Sequence, residues 1–348
     1  MKDNDTNRTI RTVFTAAILL CLVVSQLAGQ SLSTSKPAPA PARWRGLIGE
    51  YGPDDHTVIV FEKDAVLHVL IKPERFEPLT ELSRNVFKFK DYTAVRPVAF
   101  TRDRNGRATE VALGPLAFTR RPIEPESGNQ LRVKPVRPVA ELMKEALGTE
   151  PPQENGDFLN TDLAELRKLD PTIRLEIRYA TTNNFLGAKF YTQARAFMQR
   201  PAAEALVRAH RNLRRQGYGL LIHDAYRPWY VTKVFWDAFP EDKKLFVANP
   251  ARGSRHNRGC AVDLTLYHLK TGKPVEMVAT YDETTDRAHS DYPGGTSLQR
   301  WHRELLRKAM EAEGFTIYAA EWWHFDYKDW QKYRIGNVRY EAIGRRSS

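Results

Sequence analysis

Between Trp44 and about Arg121 the apolar residues come in short alternating runs, such as Thr57-Val-Ile-Val-Phe61 and Val66-Leu-His-Val-Leu-Ile71, broken by Lys63-Asp64 and Pro73. A period of two sends successive side chains to opposite faces of a strand, whereas a helix would scatter the same residues around its axis. Asn105-Gly106, between Val98-Ala-Phe-Thr101 and Ala108-Thr-Glu-Val-Ala112, marks a hairpin, because both residue types tolerate positive φ. The pattern predicts a small antiparallel β domain over residues 44–121. Its two histidines, His56 and His68, assemble no catalytic set, which leaves binding or positioning as its role.

The flanks of this stretch read differently. Lys2, Arg8 and Arg11 precede an apolar run from Val13 to Leu27 that ends in Ala28 and Gly29, the layout of a secretory signal over residues 1–29. The run is shorter than the ~20 residues that comfortably span a bilayer, so cleavage is expected, with an uncleaved anchor as the alternative. The expectation is an exported protein, periplasmic or extracellular, without a stable membrane span. Cys21 lies in the signal, so Cys260 is left alone and no intrachain disulfide follows. Residues 30–43 alternate proline with alanine and form a stiff linker. Residues 122–156, rich in Pro, Glu and Gly with one short helical stretch at Val139 to Ala146, form a connector. The formal charge of +11 favours anionic partners such as acidic wall polymers, which the β domain is placed to bind. No basic block with interleaved aromatics occurs, so nucleic acid is not an expected partner.

A second domain is expected over residues 157–348. Helices are predicted at Pro201 to Gln216, Pro228 to Phe239 and Ser297 to Glu313, and strands at Gly219–His223, Ala261–Leu266 and Trp323–Tyr327. That mixture lacks a βαβ rhythm and argues α+β. In Ser254-Arg-His-Asn-Arg-Gly-Cys-Ala-Val-Asp263 a histidine and an aspartate flank Gly259, which permits a bend that turns both toward one point. In Glu321-Trp-Trp-His324 a glutamate precedes a histidine by three residues, a spacing that recurs where one residue binds metal and the other moves protons. Each segment also has a bland reading, as a turn histidine with a capping aspartate and as core tryptophans with solvated neighbours. Together, His256, Asp263 and His324 supply two imidazoles and a carboxylate and leave a fourth zinc position open. Glu321 is then the candidate general base. Arg227, in His223-Asp-Ala-Tyr-Arg-Pro228, is either an oxyanion stabiliser or the salt-bridge partner of Asp224.

From about Leu175 to Tyr327 the chain resembles the D-alanyl-D-alanine dipeptidases of the VanX type, within the zinc D-Ala-D-Ala peptidase family. The likeness runs through Arg178-Tyr-Ala-Thr181, Asn184-Phe185, Gly217-Tyr-Gly-Leu220, Asp224-Ala-Tyr-Arg-Pro228, His256 through Leu266 and Glu321-Trp-Trp-His324. It implies one zinc ion per catalytic domain held by His256, Asp263 and His324, with Glu321 as base and Arg227 as transition-state arginine. It further implies that Asp282 receives the ammonium group of a small dipeptide, and that Ser254 and Tyr179 line the pocket. The expected activity is zinc-dependent hydrolysis of D-alanyl-D-alanine or a related dipeptide in cell-wall metabolism. The alternatives are a D,D- or L,D-carboxypeptidase acting on stem peptides and a non-catalytic wall-binding protein with structural zinc. Cys260 departs from the small hydroxyl residue expected between Gly259 and Ala261. The first 150 residues lie outside the likeness, and the β domain resembles lipocalin-like modules only loosely. The expected architecture is therefore a zinc DD-peptidase-like α+β domain preceded by a separate small antiparallel β domain.

Overall fold

A computed structural model of the chain describes residues 35–71, 75–90, 97–122 and 132–344. The segment read as a signal peptide, the first residues of the linker and part of the connector lie outside the described residues.

The alternating stretch folds as its period requires. A helical turn, α1 (Ala42–Arg45), leads into strands β1 (Gly49–Tyr51), β2 (Val58–Lys63), β3 (Val66–Ile71) and β4 (Arg75–Ser83). These are followed by β5 (Val86–Phe89), β6 (Pro97–Arg102), β7 (Ala108–Leu113) and β8 (Leu116–Thr119). Each strand pairs antiparallel with the next in chain order. The ends then meet: Tyr51 bridges Arg120, Gly52 N donates to Thr119 O at 2.8 Å, and Arg121 N donates to Glu50 O at 2.8 Å. Closure turns an edge-exposed meander into a barrel. Its strand count and up-and-down order are those of lipocalin barrels. Its interior is a packed core, filled by Leu47, Tyr51, Val60, Leu67, Phe87 and Phe100.

Two turns show how local chemistry meets the strand twist. At Asn105-Gly106 only Gly106 takes a positive φ, of 80°. The β2–β3 hairpin instead closes through Asp64 (φ 51°) and Ala65 (φ 60°), two consecutive left-handed residues without a glycine. That is the geometry two-residue hairpins prefer, adopted by residue types that resist it.

The rest of the chain forms an α+β unit. After α2 (Val139–Leu147) come β9 (Leu163–Glu165), α3 (Leu166–Leu169), β10 (Arg174–Leu175), β11 (Phe197–Gln199) and α4 (Arg200–Arg214). Then follow β12 (Tyr218–Asp224), α5 (Trp229–Ala238), β13 (Ala261–His268), α6 (Ser297–Glu311), β14 (Phe315–Tyr318) and β15 (Glu321–Tyr327). The main sheet runs β10-β12-β13-β15-β14, with β10 parallel to β12 and the remaining pairs antiparallel. In α4, Pro201 sits in the first turn, where a missing N–H costs nothing, and Ala202, Ala205, Leu206, Ala209 and Leu213 form one buried stripe. α6 opens with a capping box in which the Thr296 and Gln299 side chains each serve the other's backbone. The observed helices and strands differ from the expected bounds by one or two residues at most ends, the usual fraying of element termini. Ile59, Phe61 and Leu70 of the barrel join the core of this second unit, so the two domains share buried apolar surface.

Candidate active site

The site is built on one rung of the main sheet. Strand pairing places Asp224 of β12 opposite Asp263 of β13, and Asp263 opposite His324 of β15. Directly opposed residues have their Cβ atoms only about 4.5–5.5 Å apart, so three neighbouring strands deliver three polar side chains to one spot. The register of β12 slips between Ile222 and Asp224, a bulge that re-aims the end of the strand. His256 arrives from the single 3-10 turn His256–Arg258 just before β13. Gly259 ends that turn with φ 69°, a left-handed value that favours glycine, and a Cβ there would crowd Leu163 Cδ2 at 2.8 Å and Gln199 N at 3.3 Å.

Three ligand atoms converge: His256 Nε2 and His324 Nδ1 are 3.2 Å apart, His324 Nδ1 and Asp263 Oδ1 3.0 Å, and His256 Nε2 and Asp263 Oδ1 3.4 Å. A tetrahedral zinc with bonds of 2.0–2.1 Å has edges of about 3.3 Å, so these three atoms already occupy one face of such a tetrahedron. The outer nitrogens are engaged as metal-binding imidazoles require. His256 Nδ1 lies 2.7 Å from Ala225 O, and His324 Nε2 lies 2.9 Å from Asp326 Oδ1. The electrostatics point the same way. Burial opposes a proton on His324, but hydrogen bonds to Asp263 and Asp326 outweigh it and hold the imidazole up at about 10. Burial also opposes charge on Asp263, yet His256 and His324 hold its carboxyl well below the usual range. A divalent cation at these atoms would compete with that proton. The donor set fits zinc.

Glu321 opens β15, and its Oε2 is 3.8 Å from His324 Nδ1, beside the ligand face. Burial raises its carboxyl above the ordinary range; His324 opposes that shift and Asp263 reinforces it. Arg227 is buried, with its Nε donating to Asp224 Oδ2 at 2.8 Å and a terminal nitrogen 3.7 Å from Asp263 Oδ2. Its guanidinium lies 5.2 Å from the ring centres of both Tyr179 and Phe235. The salt bridge to Asp224 and a place at the site are therefore both true of Arg227. Tyr179 OH donates to Asp282 Oδ2 at 3.0 Å, which ties the loop after β13 to the cleft. Burial, then Asp263 and Glu321, hold the Asp282 carboxyl well above its usual range. Ser254 stands two residues before the ligand His256: its Oγ accepts from His256 N at 3.3 Å and its N donates to Asn257 Oδ1 at 2.7 Å. Those contacts shape the turn that presents His256. Cys260 is buried in the core.

Three groups at the site, Tyr281, Asp326 and the carbonyl of Ala225, went unread in the sequence, and Asp224 was read only as a salt-bridge partner. Asp224 anchors Arg227 and also accepts from Tyr191 OH at 2.8 Å. Tyr281 OH is 3.1 Å from Asp263 Oδ2 and 3.3 Å from Tyr179 OH, which links the ligand carboxylate to the Asp282 end of the cleft. Asp326 stands two residues after His324 on the same strand face, a relation that strand alternation alone would have flagged. The carbonyl of Ala225 carries no side-chain signal at all.

A family model described as D-ala-D-ala dipeptidase matches residues 159–340. A D-alanyl-D-alanine dipeptidase of Escherichia coli (strain K12) is 34% identical over 166 residues, covering 48% of this chain and 84% of its own length. Those of Enterococcus faecalis (strain ATCC 700802 / V583) and Enterococcus faecium are 37% identical over 171 residues and 36% identical over 175 residues. They cover 44% and 45% of this chain and 85% and 87% of their own lengths. All three alignments cover under half of this chain.

Proposed function

This chain belongs to the D-alanyl-D-alanine dipeptidase family and is a peptidase, and on that premise we propose that it is an exported, zinc-dependent dipeptidase of cell-wall metabolism. Its substrate in this reading is D-alanyl-D-alanine or a closely related dipeptide. The observation that carries the reading is the trio of His256 Nε2, His324 Nδ1 and Asp263 Oδ1, 3.0–3.4 Å apart with Glu321 beside them.

In this account His256, Asp263 and His324 would hold the ion, which when bound would polarise the scissile carbonyl and lower the pKa of a water toward neutral pH. Glu321 would take a proton from that water and return one to the leaving amine, a task suited to a carboxylate raised above its ordinary range by burial. Arg227, fixed by Asp224 and by the flanking rings of Tyr179 and Phe235, meets the negative charge that develops on the carbonyl oxygen. Asp282, held by Tyr179, receives the substrate's ammonium group. A cation there relieves the repulsion from Asp263 and Glu321 that a lone carboxylate suffers. Ser254 and Tyr179 line the substrate pocket in this reading, and Ser254 also shapes the His256 turn. The basic segment and apolar run at residues 1–29 support export to the periplasm or beyond. The excess of basic residues supports an anionic wall polymer as a second partner.

The test compares D-Ala-D-Ala with its N-acetylated form, with and without chelator, using the full chain. The expected result is chelator-sensitive hydrolysis of the free dipeptide, with the acetylated form slower by about a hundredfold or more. Comparable rates on both would instead identify a carboxypeptidase, and metal-independent or absent hydrolysis would refute the zinc mechanism.

A further inference from the structure

Asp282 sits in a long loop between β13 and α6 whose one described helical element is the 3-10 turn Asp286–Ala288. Its φ is 61°, a left-handed value that a residue other than glycine keeps only where its surroundings over-determine it. Part of that determination is internal. The buried carboxylate of Glu283 accepts from Thr280 N at 3.1 Å and from Thr285 Oγ1 at 2.6 Å, and Arg287 donates to Val278 O at 2.7 Å. These bonds stiffen residues 278–288 from within, while the bonds from Tyr179 OH to Asp282 and from Tyr281 OH to Asp263 tie the same stretch to the catalytic domain.

A second anchor, at the far end of the loop, comes from the N-terminal barrel. On β1, the buried Glu50 accepts from Tyr292 OH at 2.8 Å. At the end of β2, Glu62, only 2% exposed, makes a denser set of contacts. Its N donates to Gly295 O at 3.0 Å, and its carboxylate accepts from Ser297 N at 2.8 Å and from Ser297 Oγ at 3.2 Å. Its carbonyl accepts from Arg300 at 2.6 Å. The same carboxylate accepts from Ala65 N at 2.7 Å, so one side chain shapes the left-handed Asp64-Ala65 tip and grips the end of the loop. Asp64 N adds a bond to Ser297 Oγ at 3.0 Å. The gripped end packs on the start of the loop, since a Cβ on Gly295 would stand 3.2 Å from Val278 Cγ1.

We propose that the barrel is a built-in brace for the substrate-binding loop, with Glu62 and Glu50 as positioning residues that act on Asp282 through Ser297, Gly295 and Tyr292. The inference rests on the reading of Asp282 as the ammonium site. Two observations set it apart from simple domain adhesion. Adhesion needs only the apolar contact that Ile59, Phe61 and Leu70 already make. Buried carboxylates add little net attraction, because their desolvation offsets much of what they gain, but they fix one geometry. Moreover, both carboxylates grip the end of the Asp282 loop, whereas the ligand strands β13 and β15 are hydrogen-bonded to each other and need no brace.

The test uses Glu62→Ala and Tyr292→Phe in the full chain; the second keeps the ring and removes only the bond to Glu50. For both variants KM for D-Ala-D-Ala is expected to rise, about tenfold in Glu62→Ala, with kcat within about twofold and zinc content unchanged. Hydrogen exchange is expected to quicken across residues 278–290 and to stay unchanged in 261–268 and 321–327. Glu62→Gln, which retains an acceptor for Ser297 N, should recover most of the KM. Unchanged KM and unchanged exchange in both variants would overturn the proposal, as would exchange that quickens equally in the ligand strands. An Asp282→Asn variant run alongside separates the two readings. If it leaves KM unchanged, the ammonium-site reading fails, and the exchange pattern still decides whether the barrel braces the loop.

Discussion

Replacing Asp326 with alanine isolates the part of the proposed metal centre that touches no metal. Asp326 Oδ1 lies 2.9 Å from His324 Nε2 and its other oxygen 2.7 Å from an Arg255 nitrogen. The Arg255 side chain is 40% exposed and can turn to water, so its loss costs little. The His324 side chain is 11% exposed, and nothing replaces the acceptor that holds its Nε2 proton and leaves Nδ1 free for the ion. Loss of such an outer partner lowers metal affinity roughly 10- to 100-fold, about 1.4–2.7 kcal/mol. Asp326→Asn keeps an oxygen acceptor without the charge and should fall between alanine and the parent. The assay is zinc competition against a chromogenic chelator, with folding followed in parallel by circular dichroism. Wild-type zinc affinity in Asp326→Ala would refute the reasoning, because it would mean that His324 is oriented without its carboxylate.

Three further outcomes follow from the same geometry. Glu321→Ala should keep its zinc, measured by elemental analysis, and lose two or more orders of magnitude in kcat; retained turnover would remove Glu321 from the base role. Gly259→Ala forces a Cβ to within 2.8 Å of Leu163 at φ 69°, so thermal unfolding should show a loss of about 1–3 kcal/mol and weaker zinc retention, whereas an unchanged Tm would contradict the turn argument. His210 is buried, accepts from Leu220 N at 3.0 Å, and is lowered to about 4 chiefly by burial. Because the unfolded chain binds this proton first, the contribution of His210 is complete above about pH 6.5 and is lost as the pH falls toward 4. A substitution such as His210→Gln should flatten the acid side of the stability curve, and an unaltered curve would exclude it.

The parts of the fold that sequence reasoning reached are those governed by local period. The alternating runs of residues 57–71 became β2 and β3, and the apolar stripe of Ala202, Leu206, Ala209 and Leu213 became the buried face of α4. Barrel closure was not legible, because it depends on Tyr51 meeting Arg120 across the whole meander. Nor was the Asp64-Ala65 turn, whose residue types argue against the φ values that the strand twist imposes. At the site, ligand type and an open fourth position picked out His256, Asp263, His324 and Glu321, which the fold does bring together. Sequence reasoning offered Asp224 only as a bland salt-bridge partner for Arg227 and missed Tyr281, whose role exists through cross-loop hydrogen bonds; it also missed Asp326, although alternation along one strand places it on the face of His324. Ser254 was read as a pocket residue, and its contacts add that it also shapes the turn that presents His256. The docking of Glu50 and Glu62 onto the loop before α6 joins residues more than two hundred positions apart, beyond the reach of any local pattern.

The central claim is that His256, Asp263 and His324 form a zinc site. A crystal of the full chain grown with one equivalent of zinc, with anomalous scattering measured across the zinc edge, tests it most directly. The account expects a single strong peak about 2.0–2.2 Å from His256 Nε2, His324 Nδ1 and Asp263 Oδ1, with Glu321 alongside but not a ligand. A peak held by other residues, or none at these three atoms, would contradict it.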